Sequence, residues 1–314
     1  MVAIRNMEWE QIDYTTAYLN ALIDERCIFM RPPTGYYQDS NFRMDQSGSS
    51  KVCMLKQALY GLRQSANLWY ETLKEELKRL GFEELPDERC IFTHRERDLW
   101  LLLYVDDTLS AALDKQQIQW FKDNITFKIK VIGEPARFLG SSLTRTVNEA
   151  SSLPDRVSST IFVDQAAYLE DLLQTASLGK VASTYLPMKS SYQPPFSTTE
   201  TNIVSSSETV SFSGKSAFGE DVGKVAWLGM RTRPDIVFAV NRLQRRTANP
   251  RKQDLDALSQ LLRYLKGAPS YGIQLAKSNS SLIGYVDSSF NDCEDGKSTE
   301  AYVFYYAVLL CKPD

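Results

Sequence analysis

Two adjacent carboxylates, Asp106 and Asp107, interrupt the apolar run LWLLLYVDDTLSAAL over residues 99–113. An ionised carboxylate taken out of water without a partner is costly, and a like charge beside it raises that cost. Such a run must either turn at the pair or bring something to compensate it. Asp13 is the candidate third carboxylate, because it closes the apolar stretch around Trp9 to Ile12 and precedes the helix-like TTAYLNA. Grouped carboxylates are hard oxygen ligands that suit magnesium, which keeps several waters and takes few protein carboxylates plus substrate phosphates. Two such ions, with manganese as the alternative, clamp the attacking and leaving oxygens of a phosphoryl transfer. The plainer alternative stays open here, since aspartates are common turn residues and the pair need only be a hairpin tip.

The elements that must position these groups are legible around them. From Gln57 to Leu80 apolar residues recur every three or four positions through Leu59, Leu62, Ala66, Trp69, Leu73, Leu77 and Leu80, and Gly81 follows. That spacing predicts an amphipathic helix with a glycine stop. Short strands are expected at Trp9 to Asp13, Val52 to Leu55, Cys90 to Thr93 and Leu99 to Val105, with charged Arg95 to Asp98 as a turn. The unbroken apolar character of Leu99 to Val105 reads as a strand buried on both faces. Asp114 caps a further helix through Ile118, Phe121 and Ile125. The order of elements is that of an α+β domain.

Further on, Asp164 to Ser177 reads as a helix. Lys189 to Ser216 is rich in Ser and Thr, contains Pro194 and Pro195, and reads as a linker or insertion. Helices are expected around Val222 to Leu228, Pro234 to Arg245 and Leu255 to Lys266, and strands near Tyr271 to Leu275, Leu282 to Asp287 and Ala301 to Leu310. Arg242, Arg245, Arg246, Arg251, Lys252, Arg263 and Lys266 form local positive groups that read either as phosphate contacts or as solvated helix faces.

Composition narrows the function classes. The 314 residues are 43% hydrophobic and 24% charged, enough for a sizeable core, and 36 basic against 39 acidic residues give a net charge of -3. No bulk positive field points to a nucleic-acid partner, so local patches must supply any such binding. The scattered Cys27, Cys53, Cys90, Cys293 and Cys311 form no CxxC pair and have only His94 beside them as a ligand type. Neither a zinc site nor a disulfide framework is expected, and an intracellular compartment, cytoplasmic or nuclear, suits them. No apolar run reaches membrane-spanning length.

The words QIDYTTAYLNA (Gln11 to Ala21), KVCMLKQALYGLRQSANLWY (Lys51 to Tyr70) and LLLYVDD (Leu101 to Asp107) resemble the successive palm motifs of reverse transcriptases from copia-type LTR retrotransposons. GEPARFLG, TRPDIVFAV, LLRYLKG and GYVDSSF with KSTEAYVF continue the pattern in order, over nearly the whole chain outside the Ser/Thr-rich insertion. The resemblance implies RNA-directed DNA polymerisation, with Asp13, Asp106 and Asp107 as the catalytic, metal-binding aspartates. It implies Tyr18 as an aromatic gate against a ribose 2′-hydroxyl, and Gly61, Arg63 and Gln64 as the segment beneath template and nucleotide. Phe138, Leu139 and Gly140 match the primer-grip turn. Two magnesium ions, an RNA template, a DNA or RNA primer and deoxynucleoside triphosphates are the implied cofactors and partners.

The implied architecture is a palm-type sheet with packed helices, then a mostly helical connection, then an incomplete ribonuclease H-like sheet. The corresponding division is palm and start of thumb over 1–145, thumb and connection over 146–188, linker over 189–218, helical connection over 219–270 and a truncated ribonuclease H-like segment over 271–314. Three departures stand against this pattern. Only twelve residues precede Asp13, so the basic fingers region of the family is expected to be missing. Asp287 matches the first ribonuclease H carboxylate, yet Ser289 stands where a second aspartate is usual, and ribonuclease H activity is not expected. Ser65, Ala66, Asp254 and Leu255 also depart from the family's usual residues. The competing expectation is a catalytically inactive, truncated remnant that at most binds nucleic acid weakly.

Overall fold

The computed structural model describes residues 1–23, 28–32, 52–148, 158–175, 182–192, 212–277, 282–290, 298–305 and 308–311. After a short helix α1 (Val2–Arg5), the chain forms two compact units, one over Met7–Pro135 and one built mainly from Ala136–Asp314.

The first unit is built on strands β1 (Glu8–Tyr14), β4 (Glu83–Leu85), β5 (Glu88–His94), β6 (Leu99–Tyr104), β7 (Asp107–Ala112) and β8 (Ile129–Gly133), and a separate pair β2 (Phe29–Met30) and β3 (Cys53–Met54) lies outside that sheet. The six strands run in the order β4-β5-β6-β7-β1-β8, every neighbouring pair antiparallel. Alternation along each strand separates two faces. Ile12 and Tyr14 of β1, Leu99, Leu101 and Leu103 of β6 and Ala112 of β7 pack into one core with helices α2 (Ser65–Arg79) and α3 (Lys115–Asn124). Trp69, Leu73 and Leu77 from α2 and Ile118 and Phe121 from α3 complete it.

The opposite face is more open. Trp100 and Leu102 are half-buried and Tyr104 exposed, so β6 is covered on one side only, contrary to the two-sided burial its apolar run suggests. Large apolar side chains here serve an open face rather than a second helical layer.

Helix α2 begins at Ser65, not at Gln57. Gly61 has φ +98°, a conformation that ends any helix running through it, and the Ser65 hydroxyl donates to the Leu59 carbonyl at 2.6 Å to fix the turn. The apolar spacing of Leu59 and Leu62 therefore mimics a helical period that the backbone does not adopt. At its other end the helix stops as expected: Gly81 at φ +90° donates to Lys78, and Phe82 to Leu77, closing the carbonyls of the last turn. Asp114 caps α3 by accepting from the Gln116 amide.

In the second unit, strands β9 (Arg137–Phe138), β10 (Ser141–Asn148), β11 (Ser158–Asp164), β12 (Gly272–Ala276) and β15 (Val308–Cys311) form an antiparallel sheet in the order β15-β12-β11-β10-β9. Helices α4 (Ala166–Thr175), α5 (Phe212–Arg231), α6 (Val237–Gln244) and α7 (Lys252–Gly267) bury Leu169, Val225, Leu243, Leu261 and Leu265 in its core. Among the described residues, strands β13 (Ile283–Ser289) and β14 (Thr299–Tyr305) pair only with each other. The strands after Tyr271 thus do not gather into one sheet of their own, because β12 and β15 hydrogen-bond into the β9–β11 set. Most of the Ser/Thr-rich stretch, 193–211, lies outside the described residues, and α5 begins at Phe212, inside the span expected as linker.

Several of the positive groups are consumed in folding. Arg246 pairs with the fully buried Asp254, which also accepts from the Tyr192 hydroxyl and the Arg251 amide. The Arg263 guanidinium donates to the Ala182 carbonyl at 2.7 Å. Arg233, not singled out from sequence, is 1% exposed, held by Asp235 and by the Ala268 carbonyl.

Candidate active site

The two aspartates of the apolar run do sit at a hairpin tip. Tyr104 pairs with Asp107, so Val105 and Asp106 are the two central residues of the tightest connection between antiparallel strands. Val105 has φ +57°, whereas Asp106 has no positive φ, the pattern of a type II′ turn. That first position favours glycine, and a β-branched residue there stores about 1–3 kcal/mol of backbone strain. Two hydrogen bonds hold the strained tip: the buried Trp69 indole donates to the Val105 carbonyl at 2.7 Å, and the Tyr14 amide donates to the Asp106 carbonyl at 2.9 Å.

Strand β1 brings the third carboxylate. Asp13 stands directly opposite Asp107 in the β1–β7 register and opposite Lys130 in the β1–β8 register. Cross-strand partners share a face with Cβ atoms about 4.5–5.5 Å apart, so Asp13 and Asp107 meet on the open side of the sheet. Partial burial, then the charges of Asp106 and Asp107, push the Asp13 carboxyl above its ordinary range, and Lys130 pulls the other way. The Gln11 side chain, two residues back on the same face, donates to the Asp107 carboxylate at 3.1 Å.

Tyr18 lies in a 3-10 turn, Ala17–Asn20, that the Asn20 amide ties to the carbonyls of Thr15, Thr16 and Ala17. Its ring meets that of Tyr60 at 4.5 Å. Partial burial, with the charge of Asp106 next and Asp13 contributing, raises the Tyr60 hydroxyl, which puts this aromatic pair beside the acidic group. Gly61 follows with open space where a side chain would stand, Arg63 is exposed, and Gln64 precedes the first turn of α2. Phe138, Leu139 and Gly140 form a separate two-residue hairpin in the second unit: Phe138 pairs with Ser141, and Leu139 and Gly140 have φ +49° and +77°, a type I′ pattern.

The carboxylates are hard oxygen donors, the ligand type that suits magnesium or manganese. Among the described residues no group of three or more His, Cys, Asp or Glu side chains is arranged to hold a metal ion. Asp13 faces Asp107 across the strand pair and lies within electrostatic reach of Asp106, on the more open face of the sheet.

Sequence alone does not single out Gln11, Tyr60, Trp69 or Lys130 for this site. Strand alternation from Asp13 would have found Gln11, and Tyr60 adjoins the singled-out Gly61. Trp69 carries the helical period of a core residue, which hides its polar role. Lys130 belongs to a short strand, IKVIG, whose burial does not alternate, so no pattern marks it.

Comparison with known proteins decides the family. Residues 1–190 match the reverse transcriptase (RNA-dependent DNA polymerase) family. The chain belongs to that family. It is 27% identical over 313 residues to the retrovirus-related Pol polyprotein from transposon TNT 1-94 of Nicotiana tabacum, covering 98% of this chain and 22% of that protein. It is 30% identical over 308 residues to the Pol polyprotein from transposon RE1 of Arabidopsis thaliana, covering 96% and 19%. A transposon Ty5-1 protein of Saccharomyces cerevisiae is 26% identical over 298 residues, covering 93% of this chain and 88% of that protein. The chain spans about a fifth of the length of the two plant polyproteins. It is a reverse transcriptase region of the copia type, as its ordered motifs imply. Among the described residues no helix is long and apolar enough to cross a membrane.

Proposed function

We propose that Asp13, Asp106 and Asp107 carry RNA-directed DNA synthesis, in which a primer 3′-hydroxyl attacks the α-phosphate of a deoxynucleoside triphosphate and pyrophosphate leaves. The observation that carries the reading is the cross-strand pair Asp13 and Asp107 beside the Asp106 turn, with its raised Asp13 carboxyl. Two magnesium ions, or manganese in their place, would supply charge stabilisation to the attacking and leaving oxygens. The chain's own task is to hold oxygen ligands at fixed spacing and to orient substrate, since positioning and charge stabilisation make up most of phosphoryl-transfer catalysis.

On this reading Tyr18, backed by Tyr60, crowds a ribose 2′-hydroxyl. Gly61 admits the nucleotide or template without steric conflict, Arg63 offers a cation to phosphate, and Gln64 offers an amide. The Phe138–Leu139–Gly140 turn grips the primer. The palm and start of the thumb span 1–145, the thumb and connection follow over 146–188, and a helical connection spans 219–270. RNA template, DNA or RNA primer and deoxynucleoside triphosphates are the partners, met in the cytoplasm or nucleus.

Extension of a primer annealed to RNA tests the proposal. The expected result is magnesium-dependent synthesis that Asp106→Asn abolishes. No extension with either metal, or extension indifferent to Asp106→Asn, overturns it.

A further inference from the structure

We infer that Trp69 is a positioning residue for the metal-binding turn, acting through backbone rather than touching substrate. The inference rests on the proposed role of Asp13 and Asp106. Trp69 is 1% exposed and reaches both the turn that holds Asp106 and the end of the strand that holds Asp13. Its indole N–H donates to the carbonyl of Val105, the strained residue immediately before Asp106, at 2.7 Å. Its ring packs edge-on against Tyr14, the residue immediately after Asp13, at 5.3 Å, and against Phe127 at 5.0 Å.

Tyr14 in turn donates its backbone N–H to the Asp106 carbonyl. One side chain of α2 therefore links the tip of the β6–β7 hairpin to the end of β1, and with them the spacing of Asp106 from Asp13. A turn holding valine at positive φ gains by relaxing, and the indole donor opposes that relaxation at the carbonyl a rotated peptide would withdraw. Phenylalanine can fill most of the same space but offers no donor, so the packing and positioning roles of Trp69 separate experimentally.

The experiment is titration of the full chain with manganese(II) alone, followed by the loss of the free-ion paramagnetic resonance signal, on wild type, Trp69→Phe, Phe127→Leu and Asp106→Asn, each with a melting curve. Trp69→Phe should weaken manganese binding about tenfold, the lower end of what outer-shell changes cost metal sites. Phe127→Leu disturbs the same aromatic cluster without removing the turn's donor, and should lower the melting temperature while leaving manganese affinity near that of wild type. Unchanged affinity in Trp69→Phe, or an equal loss in Phe127→Leu, overturns the inference. Asp106→Asn separates it from the parent reading: if that variant binds manganese like wild type, the metal site itself is wrong, whatever Trp69 does. If Trp69→Phe does not fold, benzothienylalanine at position 69 keeps the ring shape, removes the N–H and decides by the same titration.

Discussion

Asp13→Asn should make the metal-free protein more stable while depriving it of its proposed activity. Asp13 faces Asp107 across a strand pair, with Asp106 at the adjoining turn, and its carboxyl is raised by partial burial and then by those two charges. Unit charges about 4 Å apart interact by about 1 kcal/mol in water and about 4 kcal/mol at an effective dielectric of 20. At cross-strand spacing on a half-open face, removing the Asp13 charge relieves roughly 1–3 kcal/mol. For a unit of this size that is about 3–9 °C in melting temperature. The pH dependence has a definite sign. A carboxyl with a raised folded pKa favours folding fully below its unfolded value, and that contribution is lost as pH rises through the folded value. Wild type and Asp13→Asn should therefore converge near pH 4 and separate toward pH 7, the variant melting higher in chelator. Magnesium in large excess should reverse the order, since a ligand at a thousand times its dissociation constant adds about 4.1 kcal/mol to the protein that binds it. Melting curves across pH, with chelator and with magnesium, check each step. Equal melting temperatures at pH 7 in chelator, or a less stable variant, would refute the electrostatic account of the site.

Two further outcomes follow from neighbouring contacts. Lys122 and Glu10, 12% and 11% exposed, pair at 2.6 Å on the core side of β1, so Lys122→Met should cost about 3–5 kcal/mol in denaturant unfolding by stranding the Glu10 charge, and a second change Glu10→Leu should recover most of it. Tyr18→Val, which removes the ring tilted against Tyr60, should narrow the preference for deoxynucleotides over ribonucleotides about tenfold or more in paired single-nucleotide extension assays, while leaving the melting temperature within a few degrees.

The central hairpin was legible because an unbroken apolar strand, two acidic residues where burial must end and a matching apolar strand closing on Asp13 point to the same turn, although the unbroken run hid that only one face is buried. The stop of α2 was legible for the same reason, since Gly81 takes the one backbone conformation that terminates the helix. Its start was not, because Leu59 and Leu62 keep a helical spacing while Gly61 imposes a positive φ that no periodicity reveals. Strand β10, SSLTRTVN, lacks the apolar face that marks a strand, and its place depends on pairing with β11. The acidic residues themselves were found early, but their register was not. Only the sheet order β7-β1-β8 sets Asp13 between Asp107 and Lys130, and β8 was absent from the reading by sequence.

The two faces of β1 explain why a site so costly in charge can persist. Ile12 and Tyr14 point into a core shared with Trp69, Leu73 and Phe121, whereas Gln11 and Asp13 alternate onto the open face. Burial on one side fixes the register, because a slip by one residue would carry Asp13 into the core and Ile12 into water. The same apolar packing that orders the sheet therefore holds the carboxylates against their mutual repulsion. Residues that look purely structural, Trp69 foremost, tie the turn to the end of β1 and so bear on the geometry that the proposed chemistry requires.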